Sequence, residues 1–136
     1  MKLLSLVLLA VLGFGLWVRL APSDPARWHV SIGDAGNRDF AGAAIRTVPA
    51  SPGDMARLDR IIRATPRTTL LAGSPESGMV TYITRSRLWG FPDFTTVEAR
   101  PGAIVIHGRL RFGSSDMGVN RARVEGWVAA LAAEKT

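Results

Sequence analysis

The 136-residue chain carries 17 lysines and arginines against 11 acids, a net charge of +6, and has no cysteine. That length allows one domain, and the missing cysteines exclude a disulfide scaffold and a thiolate metal site. Past residue 20 the balance is fifteen bases to eleven acids, the bases scattered among acids without a run of five like charges. With no aromatic RNP-type motif and no zinc-finger spacing either, nucleic acid is not an expected partner.

In chain order, Leu3 to Val18 is apolar except for Ser5, Gly13 and Gly15, with Lys2 ahead and Trp17 and Arg19 at the far end. Leu3 to Leu20 would span roughly 27 Å at about 1.5 Å per residue, enough for a bilayer core. Val18-Arg19-Leu20-Ala21-Pro22 is a poor signal-peptidase site, because arginine and leucine occupy places meant for small side chains. Residues 1–20 are therefore expected to remain as a single-pass anchor in the cell (inner) membrane, contacting lipid through residues 3–20. Lysine and arginine counts on the two flanks do not decide orientation. The short basic start resembles export signals, which places the soluble part on the non-cytoplasmic side.

Residues 21–50 read as a linker and N-terminal extension. Ala21-Pro22-Ser23-Asp24-Pro25 would lift the domain off the membrane, and Trp28-His29-Val30 would be a first packed segment. Gly33–Gly42 reads as loop and Ala43–Val48 as a short strand. The folded domain is expected over 51–136. Ser51-Pro52-Gly53-Asp54 predicts a helix start with a serine cap, proline at the first helical position and an acid three residues after the cap. Met55, Leu58, Ile61 and Ile62 then recur at helical spacing until Pro66.

The middle is β. Thr68–Ala72 and Met79–Ser86 flank a turn-rich connection and predict a hairpin; Phe94–Arg100 and Ala103–Phe112 flank Pro101-Gly102 and predict another. A two-residue turn there puts Val97, Ile104, Ile106, Leu110 and Phe112 on one face, and Glu98, Val105, His107, Arg109 and Arg111 on the other. Asn120 is expected to cap a last helix from Arg121 to about Ala132, burying Val124, Trp127, Val128 and Leu131. The predicted class is α+β: an antiparallel sheet of about four strands with two helices on one face, after an N-terminal transmembrane helix.

Two segments, Val80–Asp93 and Arg109–Val124, resemble the uncharacterised family known as domain of unknown function 1499. The family's recurring elements fall here on Arg85-Ser86, on Gly90, Phe91 and Asp93, and on Arg111, Gly113, Ser115, Asp116, Gly118, Asn120 and Arg121. The chain lacks the Pro-Asn-Cys-Val-Ser-Ser segment of many members and has a single acid, Asp93, where paired acids are common. The resemblance implies a fold and no particular reaction.

The candidate site is the corner where strand ends meet the last helix: Arg85, Arg87, Asp93, Arg109, Arg111, Asp116, Asn120 and Arg121. Guanidinium groups there would grip an anion bidentately, with N–H groups of the helix start adding to the field. Asp93 and Asp116 would orient the arginines, or simply pair with them and brace the loop. Trp89 and Phe91 read as the hydrophobic plug of a loop returning to the core. No nucleophile elbow, P-loop or dinucleotide fingerprint is present, so no cofactor is expected. The leading expectation is a non-enzymatic envelope domain that binds an anionic small ligand, a lipid headgroup or a protein partner. The alternatives are a hydrolase or isomerase using Asp93, Asp116 and His107, and a purely structural membrane-proximal domain.

Overall fold

The structure is a computed structural model that describes residues 1–33 and 36–136. Asp34 and Ala35, inside the expected Gly33–Gly42 loop, lie outside the described residues. Helix α1 spans Lys2–Leu20 and the four-residue α2 spans Pro25–Trp28. Strands β1 (Arg38–Phe40) and β2 (Ala43–Pro49) follow, then helix α3 (Asp54–Arg63). Strands β3 (Thr68–Ser74), β4 (Met79–Arg85), β5 (Pro92–Arg100) and β6 (Ala103–Leu110) lead into helix α4 (Val119–Ala133).

The α+β class holds, but the sheet has six strands among the described residues, in the order β1-β2-β6-β5-β4-β3, not about four. The two expected hairpins are β3–β4 and β5–β6, both antiparallel. The additional pair comes from the N-terminal extension. Strand β2 takes the free edge of β6, from Ala43↔Arg109 to Pro49↔Ala103, and β1, just ahead of it in the chain, pairs antiparallel along its outer side. A helical period is absent from Ala43–Pro49, and its backbone groups find partners on the edge that β5 leaves open.

One sheet face meets α3 and α4. Leu58 and Ile62 of α3, Val124, Trp127 and Leu131 of α4, and Val80, Tyr82, Val97, Ile104 and Ile106 of the sheet form the main core. Each fully buried aliphatic side chain there contributes about 1.5–3 kcal/mol. Gly108 lets α4 approach β6: a Cβ there would lie 3.0 Å from Val124 and 3.1 Å from Asn120. Trp127 also donates its indole N–H to Thr65 beyond α3, 2.8 Å away.

Neither helix starts as the cap preferences suggest. Pro52 and Gly53 make a turn, with the Asp54 N–H donating to the Ser51 carbonyl, so α3 begins at Asp54 and Gly53 holds the cap position. The Ser51 hydroxyl caps nothing. Instead the buried Asp54 carboxylate accepts from the Ser51 N–H at 2.7 Å and pairs with Arg57 and Lys135. At α4 the cap position belongs to Gly118, whose left-handed φ of 81° admits the chain into the helix.

The second sheet face is covered by the N-terminal extension, where Trp28 packs as expected and the chain around it packs as well. Trp28 stacks on Phe94 with ring centres 3.9 Å apart and planes 5° from parallel. Ile32 packs with Ile45 and Val105. His29 bonds Thr81 through Nδ1 at 2.9 Å, and Glu98 accepts from Ser31 and from the Ile32 N–H. Residues 22–33 thus form a strap across the sheet, and its helical turn α2 lies opposite α3 and α4. Upstream, α1 is long and apolar enough to cross a membrane by length and composition.

Candidate functional site

The sheet divides the predicted site residues between its two faces. On the helix side, Asp116 sits four residues ahead of Asn120 in the turn that opens α4. Its Oδ1 accepts from the Gly118 N–H at 2.9 Å, and its Oδ2 accepts from the Asn120 N–H at 3.0 Å and from Asn120 Nδ2 at 2.8 Å. Asp116 is therefore the capping residue, and Asn120, expected in that role, is fully buried in the first turn. Burial pushes the Asp116 carboxyl up, but the Asn120 side chain and the N–H donors outweigh it and hold it below the usual carboxylate range.

Asn120 Oδ1 accepts from Arg123 Nη1 at 3.1 Å, and the same nitrogen reaches Asp93 Oδ2 at 3.0 Å. Asp93 and Arg123 are each only about 16–17% exposed. Desolvation dominates at Asp93 and raises its pKa even with the guanidinium alongside, and Asp116 adds to the rise. Asp116, Asn120, Arg123 and Asp93 are a connected, internally partnered chain. Arg123 was outside the predicted set; its position three residues after Asn120, on the inner face shared with Val124 and Trp127, is the signal that points to it. Arg121, on the outer face, lies 3.8 Å from Asp39.

On the strap side the arginines have a different fate. Arg109 donates through Nη2 to the Trp28 carbonyl at 2.7 Å, lies 5.3 Å from the Trp28 ring centre, and meets His107 Nδ1 at 3.1 Å. Arg111 donates to the Pro22 carbonyl at 2.8 Å and Arg85 to the Gly90 carbonyl at 2.9 Å. Arg87 is exposed and has no partner among the described residues. Among the described residues none of these four arginines has a carboxylate partner. Neither Asp93 nor Asp116 orients them, because both acids face α4 across the sheet.

A family model described as "Protein of unknown function (DUF1499)" matches residues 18–131. The chain belongs to this family. No curated protein and no solved structure matches it. Because the DUF1499 match begins at Val18, it takes in the strap, which belongs to the family's domain as the packing does. The DUF1499 block from Arg111 to Arg121 is split by function: Asp116, Gly118 and Asn120 build the helix entry, whereas Arg111 latches the strap.

Beside Arg109 the DUF1499 domain has a cleft of about 430 Å³, lined by Arg27, Trp28, Ser31, Ile45, His107 and Arg109 among others. Arg27 lies 5.2 Å from the Trp28 ring centre. Burial, with Arg109 as a nearby cation, pushes His107 down to about 4, so the ring is neutral at pH 7. A guanidinium only donates, so His107 Nδ1 is the acceptor and Nε2 carries the proton. Burial likewise lowers the pKa of Arg109. The cleft thus offers two cations and a neutral N–H donor, with no carboxylate in its wall among the described residues. Arg27 and Trp28 were missed because their partners are some eighty residues away. His107 and Arg109 were already placed on one face by strand alternation.

His107 does not meet the two acids proposed as its partners. It opens to the strap-side cleft, while Asp93 and Asp116 are bonded into α4 on the other face. Among the described residues no three histidine or carboxylate side chains come together as a metal ion would need.

Proposed function

We propose that this protein is a membrane-anchored binding domain that takes a small anionic ligand in the cleft between the strap and β6. The observation that carries this is Arg109: a half-buried guanidinium on a cleft wall, with carbonyl, imidazole and indole neighbours but no carboxylate partner among the described residues. A cation held that way is short of a counter-ion, and a bound phosphate, sulfate or carboxylate would supply one. Arg27 adds a second charge, His107 Nε2–H a directional donor, and Trp28 an apolar floor. Such a site fits recognition better than reaction, since among the described residues the wall holds two guanidinium groups and no acid to work with the neutral imidazole. Helix α1, apolar over its whole circumference, supports anchoring in the cell membrane, and the short basic start supports a non-cytoplasmic domain.

The test is thermal unfolding of the full chain in mild detergent with inorganic phosphate, sulfate and a tricarboxylate as probes. At ten times its dissociation constant a probe adds about 1.4 kcal/mol of stability and raises Tm accordingly. Arg27→Gln should abolish that rise while leaving the probe-free Tm unchanged, because Arg27 holds no other element in place. Arg109→Gln should abolish it too, at a lower starting Tm. An unchanged wild-type Tm with every probe, or an equal rise in Arg27→Gln, would overturn the proposal.

A further inference from the structure

Helix α1 does not stand clear of the domain. Its second half packs on the β4–β5 loop and on Phe112. The Phe14 and Phe91 ring centres are 6.2 Å apart and those of Trp17 and Phe112 5.3 Å apart. A Cβ on Gly15 would lie 3.4 Å from the Trp89 ring. Arg19 Nη2 donates to the Leu88 carbonyl at 2.8 Å. These contacts fix how deep the domain must lie if α1 crosses a bilayer. Lys2–Gly13, the part of α1 ahead of the contacts, is only about 18 Å long, against about 30 Å of hydrocarbon. The full 19-residue helix, at about 28 Å, nearly spans it. A crossing therefore needs Phe14–Leu20 within the membrane, and the loop touching them goes in as well.

The loop is built for that position. Leu88 is 76% exposed and Trp89 38% exposed, side by side at its tip. Several of its backbone groups are satisfied within the protein, as apolar surroundings require. Ser86 N–H donates to the Phe91 carbonyl and Gly90 N–H to the Ser86 carbonyl. The Phe91 N–H bonds the Ser86 hydroxyl, and the Leu88 and Gly90 carbonyls accept from Arg19 and Arg85. A mostly apolar groove of about 440 Å³ runs between the loop and α1, walled by Leu12, Leu16, Leu88 and Trp89, with Arg19 also in its lining. Arg87 and Arg111 stand around this end without a carboxylate partner among the described residues, and tryptophan and arginine are what the lipid interface selects.

From this we infer that the β4–β5 loop is a bilayer-seated wedge. Leu88 and Trp89 enter the headgroup and upper acyl region beside α1, an acyl chain occupies the groove, and Arg87 and Arg111 meet anionic headgroups. The inference rests on the anchoring reading of α1 and is independent of the anion cleft.

The cysteine-free chain permits a direct test. Single variants Leu88→Cys, Leu9→Cys and Glu76→Cys, each carrying one environment-sensitive fluorophore, are placed as full chains in nanodiscs. The lipid is phosphatidylcholine with one quarter phosphatidylglycerol, containing either shallow or deep doxyl-lipid quenchers. Leu9 reports the middle of α1 and Glu76 the turn at the far end of the β3–β4 hairpin. The expected result is deep quenching at Leu9, loss of about half the emission at Leu88 with the shallow quencher, and no change at Glu76. Quenching at Leu9 with Leu88 as bright as Glu76 would overturn the wedge and leave the anchor standing. No quenching at Leu9 would remove the anchor, and the wedge with it. Adding Arg87→Gln to the Leu88 reporter should move its quenching part of the way to the level seen in phosphatidylcholine alone, Arg111 keeping the rest. Equal quenching in both lipids would overturn the headgroup contact.

Discussion

Replacing Asp116 by alanine isolates the residue on which the entry to α4 depends. Three hydrogen bonds end on this carboxylate, two of them from backbone N–H groups, that of Gly118 at the cap position and that of Asn120 in the first turn. Loss of a cap of this kind costs about 0.5–2 kcal/mol. The third donor, Asn120 Nδ2, belongs to a fully buried side chain, and stranding it adds about 1–3 kcal/mol. The expected cost is therefore roughly 1.5–5 kcal/mol. Neighbouring Ser115→Ala, losing one exposed bond to the Met117 N–H, should cost no more than about 0.5 kcal/mol. Urea unfolding of the full chain in detergent, followed by far-ultraviolet circular dichroism, measures both. An Asp116→Ala variant within about 0.5 kcal/mol of wild type would mean that the helix entry is held by Gly118 and burial alone. Asp116→Asn keeps one acceptor and should fall between the two.

Acid unfolding should show Asp54. Its hydrogen bond from Lys135 and those from the Ser51 N–H and Arg57 hold it at about 2, against an ordinary 3.8. Because the folded value is depressed, its stabilisation is complete above about pH 5 and is lost as pH falls from about 4 towards 2. Asp54→Asn should flatten that limb of the stability curve, a change worth roughly 2 kcal/mol at neutral pH. Asp93 works with the opposite sign: its raised pKa favours the folded state while it is protonated, and that contribution is lost as pH climbs through its folded value. Two glycines, one under α4 and one on its exposed side, should also part ways. Gly108→Val pushes into Val124 and Asn120 and should cost about 1–3 kcal/mol by urea titration. Gly126→Ala, in the open middle of α4, should stabilise by about 0.5–1 kcal/mol.

Local patterns carried the two hairpins and the division of β5 and β6 into an apolar helix-side face and a face bearing His107 and Arg109. They also carried both long helices of the domain, since Leu58, Ile62, Val124, Trp127 and Leu131 recur at helical spacing. What lay beyond them depends on distant contacts. The start of the strap reads as a spacer because Pro22 and Pro25 frame a short polar stretch, and Trp28-His29-Val30 reads as packed without saying against what; only Phe94, Thr81 and Glu98, some fifty to seventy residues on, make the segment a cover for the sheet. The cap at α4 was assigned to Asn120 by residue preference. The left-handed turn at Gly118 moves the helix start, so the carboxylate of Asp116 reaches the free N–H groups first. The expected corner of four arginines and two acids mixed residues that alternate across a strand. Asp93 and Arg109 sit on neighbouring strands, yet opposite pleats send one to α4 and the other to Trp28.

The borders of the six-stranded sheet bear on how copies of this protein coexist. One border is β1, three residues long and carrying Arg38 and Asp39; the other is β3, whose pairing slips between Leu70 and Ala72. A short charged margin and a kinked one leave no long straight row of free N–H and C=O groups for another chain to extend. Molecules crowded together therefore have little opportunity to join strand to strand, and the sheet stays the property of a single chain.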